Sequence, residues 1–185
     1  MKNKPFQRLF DHSLRFQRQF LTLIILITFT WIPTVLAADD GTVFFILRHA
    51  EKTAADDDPA LSPAGIDRAN ALATMLSDAA ITAIHSTDYR RTRETIKPLG
   101  ERTGLEIRLY DPMKPEALLR KLLEEGGRHV IAGHSNTVPE MVQLLGGDPG
   151  SGIDEKGEFD RLYIITLRDG GSDFVLLRYG NAFTP

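Results

Sequence analysis

Apolar residues in the body of the chain fall into two patterns, short continuous runs and stripes at helical spacing. Thr42–Leu47 (TVFFIL) is an unbroken run of β-formers, which predicts a strand buried on both faces. Ser62-Pro63 then supplies a cap and a first-turn proline. Ile66, Ala69, Leu72, Ala73 and Leu76 follow at helical spacing, predicting an amphipathic helix over 63–78. Ile81–His85 predicts a second strand, and Asp88 a cap for a helix running to about Thr103. Leu105–Leu109 is a third strand candidate. Pro115 opens a helix whose apolar face holds Leu118, Leu119, Leu122 and Leu123. His129–Ala132 predicts a fourth strand, and Thr137–Leu145 a helix closed by Gly146-Gly147. Phe159–Leu167 and Phe174–Tyr179 flank Asp169-Gly170-Gly171, the pattern of a hairpin.

Four strand–helix alternations predict an α/β three-layer sandwich, with a mostly parallel central sheet flanked by helices. The closing pair adds a C-terminal antiparallel hairpin. No repeat, long linker or low-complexity block divides residues 38–185, so they read as one domain.

Residues 1–37 have a different pattern. A basic stretch precedes Phe20–Ala38 (FLTLIILITFTWIPTVLAA), an apolar core broken by Pro33 and followed by small residues at Val35 and Ala37. This is the pattern of a signal peptide, with a mature start near Ala38. The alternative is an uncleaved membrane tether through residues 20–38, since the apolar stretch approaches the roughly 20 residues that span a bilayer. Both readings place the body outside the cytoplasm, in the periplasm or secreted.

Of the chain's 185 residues, 22 are Lys or Arg and 25 Asp or Glu, for a net charge of −3. Residues 1–37 contain five basic residues and one acid, which leaves −7 on the remainder. Such a body does not condense on a phosphate backbone, so nucleic acid is not an expected partner. An anionic ligand needs a local positive cluster. Cysteine is absent, which excludes disulfides, thiolate metal ligands and a cysteine nucleophile.

Candidate chemistry lies where predicted strands end. In open α/β sheets, ligands bind beyond the carboxyl ends of the strands. Arg48-His49 follows the first strand, Arg90-Arg91-Thr92-Arg93 follows the second, and His134 follows Val130-Ile131-Ala132-Gly133. If these strands are neighbours, two arginines and two histidines converge. Guanidinium forks match phosphoryl oxygens two at a time, and a helix starting after His134 adds its N-terminal dipole. A neutral imidazole is a competent nucleophile at phosphorus. The histidine spacing does not fit HExxH, and no metal or other cofactor is expected. Asp56-Asp57-Asp58 lacks the DxDxDG spacing of a calcium loop and reads as a solvated turn. Ser135 resembles a G-x-S nucleophile, but Gly133-His134-Ser135-Asn136-Thr137 lacks the second glycine of that elbow. Arg90 and Arg93 read as solvated helix charges, His85 as a packing residue at a strand end and His129 as an exposed strand start.

Arg48-His49-Ala50-Glu51 resembles the RHG/RHA signature of the histidine phosphatase superfamily, the phosphoglycerate mutase-like phosphatases. Arg91-Thr92-Arg93-Glu94-Thr95 resembles its second-arginine motif, R-[AT]-x-x-T, and Gly133-His134-Ser135-Asn136-Thr137 its second-histidine motif. Leu61-Ser62-Pro63-Ala64-Gly65 resembles the family's LTxxG helix start. The resemblance implies that His49 is the nucleophile that becomes phosphohistidine. It implies that Arg48, Arg91 and His134 clamp the phosphoryl oxygens, with Ser135 and Asn136 beside the substrate. The family's acid often follows the third strand, where Asp111 stands here, with Glu116 as the second candidate; some small relatives lack an obvious acid, so the third alternative is none.

Ala50 replaces the commoner glycine, and the long insertions that cover the site in mutases are missing. Hydrolysis is therefore expected over phosphoryl return. The expected ligand is a phosphorylated small molecule or envelope component, with substrate choice set by loops 52–61, 111–115 and 146–158. A protein phosphohistidine is an alternative substrate. A non-catalytic phospholigand-binding module keeping the same pocket is the alternative function.

Overall fold

The computed structural model describes residues 41–54 and 57–184. The expected signal peptide or tether and Asp56 lie outside these residues. A central sheet contains β1 (Thr42–Arg48), β2 (Ala83–Thr87), β3 (Ile107–Tyr110), β4 (Arg128–Gly133), β5 (Arg161–Arg168) and β6 (Gly171–Arg178). Its strand order is β3-β2-β4-β1-β5-β6. The first four positions in that order are parallel, and β5 and β6 form the antiparallel hairpin. Four helices complete the fold: α1 (Pro63–Leu76), α2 (Arg90–Thr103), α3 (Pro115–Glu125) and α4 (Thr137–Leu144).

The three layers follow from the two-residue period of β1, which sends successive side chains to opposite faces. Val43, Phe45 and Leu47 pack with Leu72, Ala73 and Leu76 of α1 and Ile96 and Leu99 of α2. Phe44 and Ile46 pack on the other face with Leu119 and Leu122 of α3 and Val138, Met141 and Val142 of α4. This explains why β1 has no polar alternation: both of its faces are core. Among the described residues, no helix is long and apolar enough to cross a membrane.

Several boundaries and burials differ from the sequence pattern. The second strand starts at Ala83, two residues later than Ile81, because its parallel pairing begins there with His129 of β4. Ile66 is exposed; buried Arg68 occupies that part of the α1 face, its guanidinium held by Glu51 and by the Tyr179 and Asn181 carbonyls. Leu123 is also exposed, and Asp88 pairs with Arg93 while Tyr89 takes the cap position of α2. His129 is buried, contrary to its reading as an exposed strand start. It lies in β4 between β1 and β2, stacked on Phe44 and 3.3 Å from the His85 ring nitrogen.

Candidate active site

The strand order places the carboxyl ends of β1, β4 and β2 side by side, so the predicted clusters meet. A cavity of about 550 Å³ is lined by Arg48, His49, Arg91, His134, Ser135 and Asn136. Each of the three expected loops contributes to its wall: Lys52 from the first, Pro112 and Met113 from the second, Glu155 and Lys156 from the third.

His49 follows β1 and is almost fully buried. Its Nδ1 lies 2.8 Å from the Ala50 carbonyl, which can only accept, so Nδ1 carries the ring proton. Nε2 is left with its lone pair, and Arg91 Nε donates to it at 3.2 Å. Burial, opposed by the Ala50 hydrogen bond and reinforced by Arg48, Arg91 and His134, pushes the His49 pKa down to about 3. The ring is therefore neutral and nucleophilic at ordinary pH.

His134 shares a 3.0 Å hydrogen bond with Thr87 Oγ1 at the end of β2. Burial, then Arg91 and Arg48, push its pKa down to about 4. The ring sits edge-on to His49 at 5.5 Å and to Tyr89 at 5.1 Å. Tyr89 also lies under the Arg91 guanidinium, 4.5 Å from its ring centre. Helix α4 begins directly after Asn136, bringing the positive end of its dipole to the cavity wall.

Arg48 departs from a simple phosphate clamp. Its Nη1 donates to the carbonyls of Asp154 and Glu158 at 2.9 and 3.0 Å, and Nη2 to that of Glu155 at 2.8 Å. The guanidinium stacks on Phe159, 4.1 Å from the ring centre. Only Nε is buried without a partner. An orphaned charged donor costs roughly 1–3 kcal/mol or more, a cost that an oxyanion ligand removes.

The motif residues also have structural work. Thr95 Oγ1 accepts from the Ala50 amide at 2.9 Å and donates to the Arg91 carbonyl at 2.7 Å. Glu94 accepts from the Leu61 amide at 2.8 Å. A Cβ on Gly65 would lie 2.1 Å from the Glu51 carbonyl oxygen, so only glycine allows α1 to start against the chain leaving His49. Glu51 pairs with Arg68, Arg90 with Glu94, and neither Arg90 nor Arg93 lines the cavity. Asp58 accepts from the Arg90 amide at 2.8 Å and lies 3.9 Å from Arg91.

Asp111 is not brought into the cavity. Its Oδ1 accepts from the Met113 amide at 2.9 Å, and Lys114 lies 3.6 Å from Oδ2. The aspartate closes its own turn, so the loop presents Met113 to the cavity in its place. Glu116 does not line the cavity either. Thr87, Tyr89, Phe159 and Glu155 do surround the site, and sequence motifs gave no sign of them. Among the described residues, no group of three histidine or carboxylate side chains is arranged to hold a metal ion.

Residues 44–114 match the family model of the histidine phosphatase superfamily, branch 1. Over these residues the chain is similar to that superfamily. The match contains His49 and Arg91, and the sheet brings His134 to them from beyond it. No curated protein sequence gives a significant match. Solved structures share the histidine phosphatase fold. The protein histidine phosphatase SixA complexed with tungstate is 19% identical, with a TM-score of 0.58 over 74% of this chain and 96% of that one. A mycobacterial glucosyl-3-phosphoglycerate phosphatase is 16% identical, also with a TM-score of 0.58, over 77% of this chain and all of that one, 100%.

Proposed function

We propose that this chain is an exported, metal-independent phosphomonoesterase that works through a phosphohistidine on His49. The observation that carries the reading is the His49 ring, with Nδ1 fixed to the Ala50 carbonyl and the Nε2 lone pair facing Arg91. A phosphoryl group placed at Nε2 takes the Arg91 donor that now rests there. Arg48 Nε and the first turn of α4 supply further positive potential. Nucleophilic attack forms an N–P bond, the ester P–O bond breaks, and water then releases phosphate. The leader pattern in residues 1–37 supports export.

Hydrolysis of p-nitrophenyl phosphate in EDTA tests this reading, comparing the full chain with His49→Ala. The expected outcome is turnover that survives EDTA and falls by about 10³-fold or more in the variant. Wild type should also form an acid-labile phosphoprotein that His49→Ala does not. A folded wild type that binds vanadate without turnover would point to a phospholigand-binding module.

A protein phosphohistidine is the second substrate reading. SixA, which shares the fold, is a protein histidine phosphatase. The favouring observation is the cavity rim, where Lys52, Met113 and Lys156 are exposed to a large partner. Dephosphorylation of a phosphohistidine protein faster than of small esters would select it.

A further inference from the structure

We propose that Glu155 is the proton donor to the leaving group. The inference rests on the phosphohistidine reading above. Among the described residues, Glu155 is the only carboxylate lining the cavity. Its Oε1 accepts from Ser135 Oγ at 2.8 Å, which holds the carboxylate at the residue that follows His134. Its backbone is fixed as well, because Arg48, the residue before the nucleophile, grips the Glu155 carbonyl.

The rest of the turn supports that position. Asp154 Oδ1 accepts from the Lys156 and Gly157 amides at 2.8 and 3.0 Å. Glu158 is buried and paired with Arg161, anchoring the turn to β5. Glu155 is thus carried on a braced turn, with one oxygen held by a neutral hydroxyl. A phosphoryl dianion placed beside a carboxylate favours the protonated carboxyl, which is the form a leaving-group acid needs. Asp111 has its own turn to close and stands outside the cavity.

The step balances as follows. His49 Nε2 forms the N–P bond while the P–O bond to the alcohol breaks, and the Glu155 carboxyl proton passes to the departing oxygen. The resulting carboxylate then takes a proton from water as the water oxygen bonds to phosphorus and the P–N bond breaks. Phosphate leaves, and His49 and Glu155 return to their starting forms.

The test compares wild type, Glu155→Gln and Asp111→Asn on a series of alkyl and aryl phosphates. Glu155→Gln is expected to lower kcat/KM for alkyl phosphates by about 10²-fold or more, and for p-nitrophenyl phosphate by less than about tenfold. Asp111→Asn is expected to follow wild type across the series. Glu155→Asp should restore part of the alkyl activity. Equal losses on both ester classes, or the selective loss in Asp111→Asn, would overturn the assignment. Labelling keeps the two proposals separate. Normal phosphohistidine on His49 with no leaving-group effect in Glu155→Gln refutes Glu155 alone, whereas wild-type turnover without phosphohistidine overturns the mechanism and its acid together.

Discussion

The backbone amide of Ala50 donates to the hydroxyl of Thr95 at 2.9 Å, although the two residues are 45 positions apart. The same hydroxyl donates to the Arg91 carbonyl four residues earlier. One side chain therefore sets the spacing between the segment that carries His49 and the arginine that touches it. Thr95→Val keeps the volume and removes both bonds, leaving the buried Ala50 amide without an acceptor. The expected costs are about 1–3 kcal/mol of stability and a loss of kcat larger than the change in KM. Chemical denaturation and steady-state kinetics check this, and an unchanged kcat would show that Thr95 does not position the pair.

His49 should keep one protonation state across ordinary pH. With its pKa pushed down to about 3, it is expected to show the Nδ1–H neutral tautomer by nitrogen NMR from pH 8 to pH 5. A decline of kcat/KM between pH 7 and pH 5 then has to come from another group. A His49 resonance titrating near 6.5 would contradict the buried, cation-flanked site.

Stability should fall in acid through the second histidine pair. His85 and His129 are buried with ring nitrogens 3.3 Å apart. Burial, then the neighbouring His129, pushes the His85 pKa down to about 4, and burial lowers that of His129. The unfolded chain binds these protons more readily, so stability rises with pH between about 4 and 6.5 and is lost as pH falls through that window. For His85 the full change is about 3 kcal/mol. Urea midpoints at pH 7 and pH 4.5 measure it, and His85→Gln should reduce the difference, the remainder coming from His49 and His134, whose pKa values are also pushed down. An equal pH dependence in that variant would remove the pair as its source.

Gly65→Ala brings a methyl group 2.1 Å from the Glu51 carbonyl oxygen, a contact with backbone that no rotamer relieves. The start of α1 must shift, and with it the Ser62 amide that donates to the same carbonyl. A loss of about 1–3 kcal/mol is expected, as for other overpacked sites. Thermal unfolding checks it. A variant as stable as wild type would mean that the helix start yields freely.

Much of this site was legible because its groups follow strands. TVFFIL ends directly at Arg48-His49, and VIAG at His134, so chain order alone placed these cavity residues at strand ends. Neighbourhood was the missing link, and it came from β4 inserting between β1 and β2. Asp111 misled because a short carboxylate two residues before an amide can cap its own turn, and nothing in Leu109-Tyr110-Asp111 signals which role it takes. Glu155 was hidden in a glycine-rich, acidic stretch with no helical or strand period, and only its place in the cavity wall and its bond to Ser135 mark it out. His129 looked like a strand start because its burial depends on β2 and Phe44, far away in sequence.

The reversal of strand direction at β5 has a further consequence. Leu162 of β5 pairs with Leu47 of β1, so β5 enters the sheet at the edge where β1 delivers its histidine. The connection from α4 into β5 must therefore cross the mouth of the cavity before any pairing begins. Lengthening or rewriting that one connection changes what the mouth admits and leaves the hydrogen-bonded ladder untouched. The scaffold thus offers evolution an exchangeable doorway, pinned to the end of β1 by Arg48.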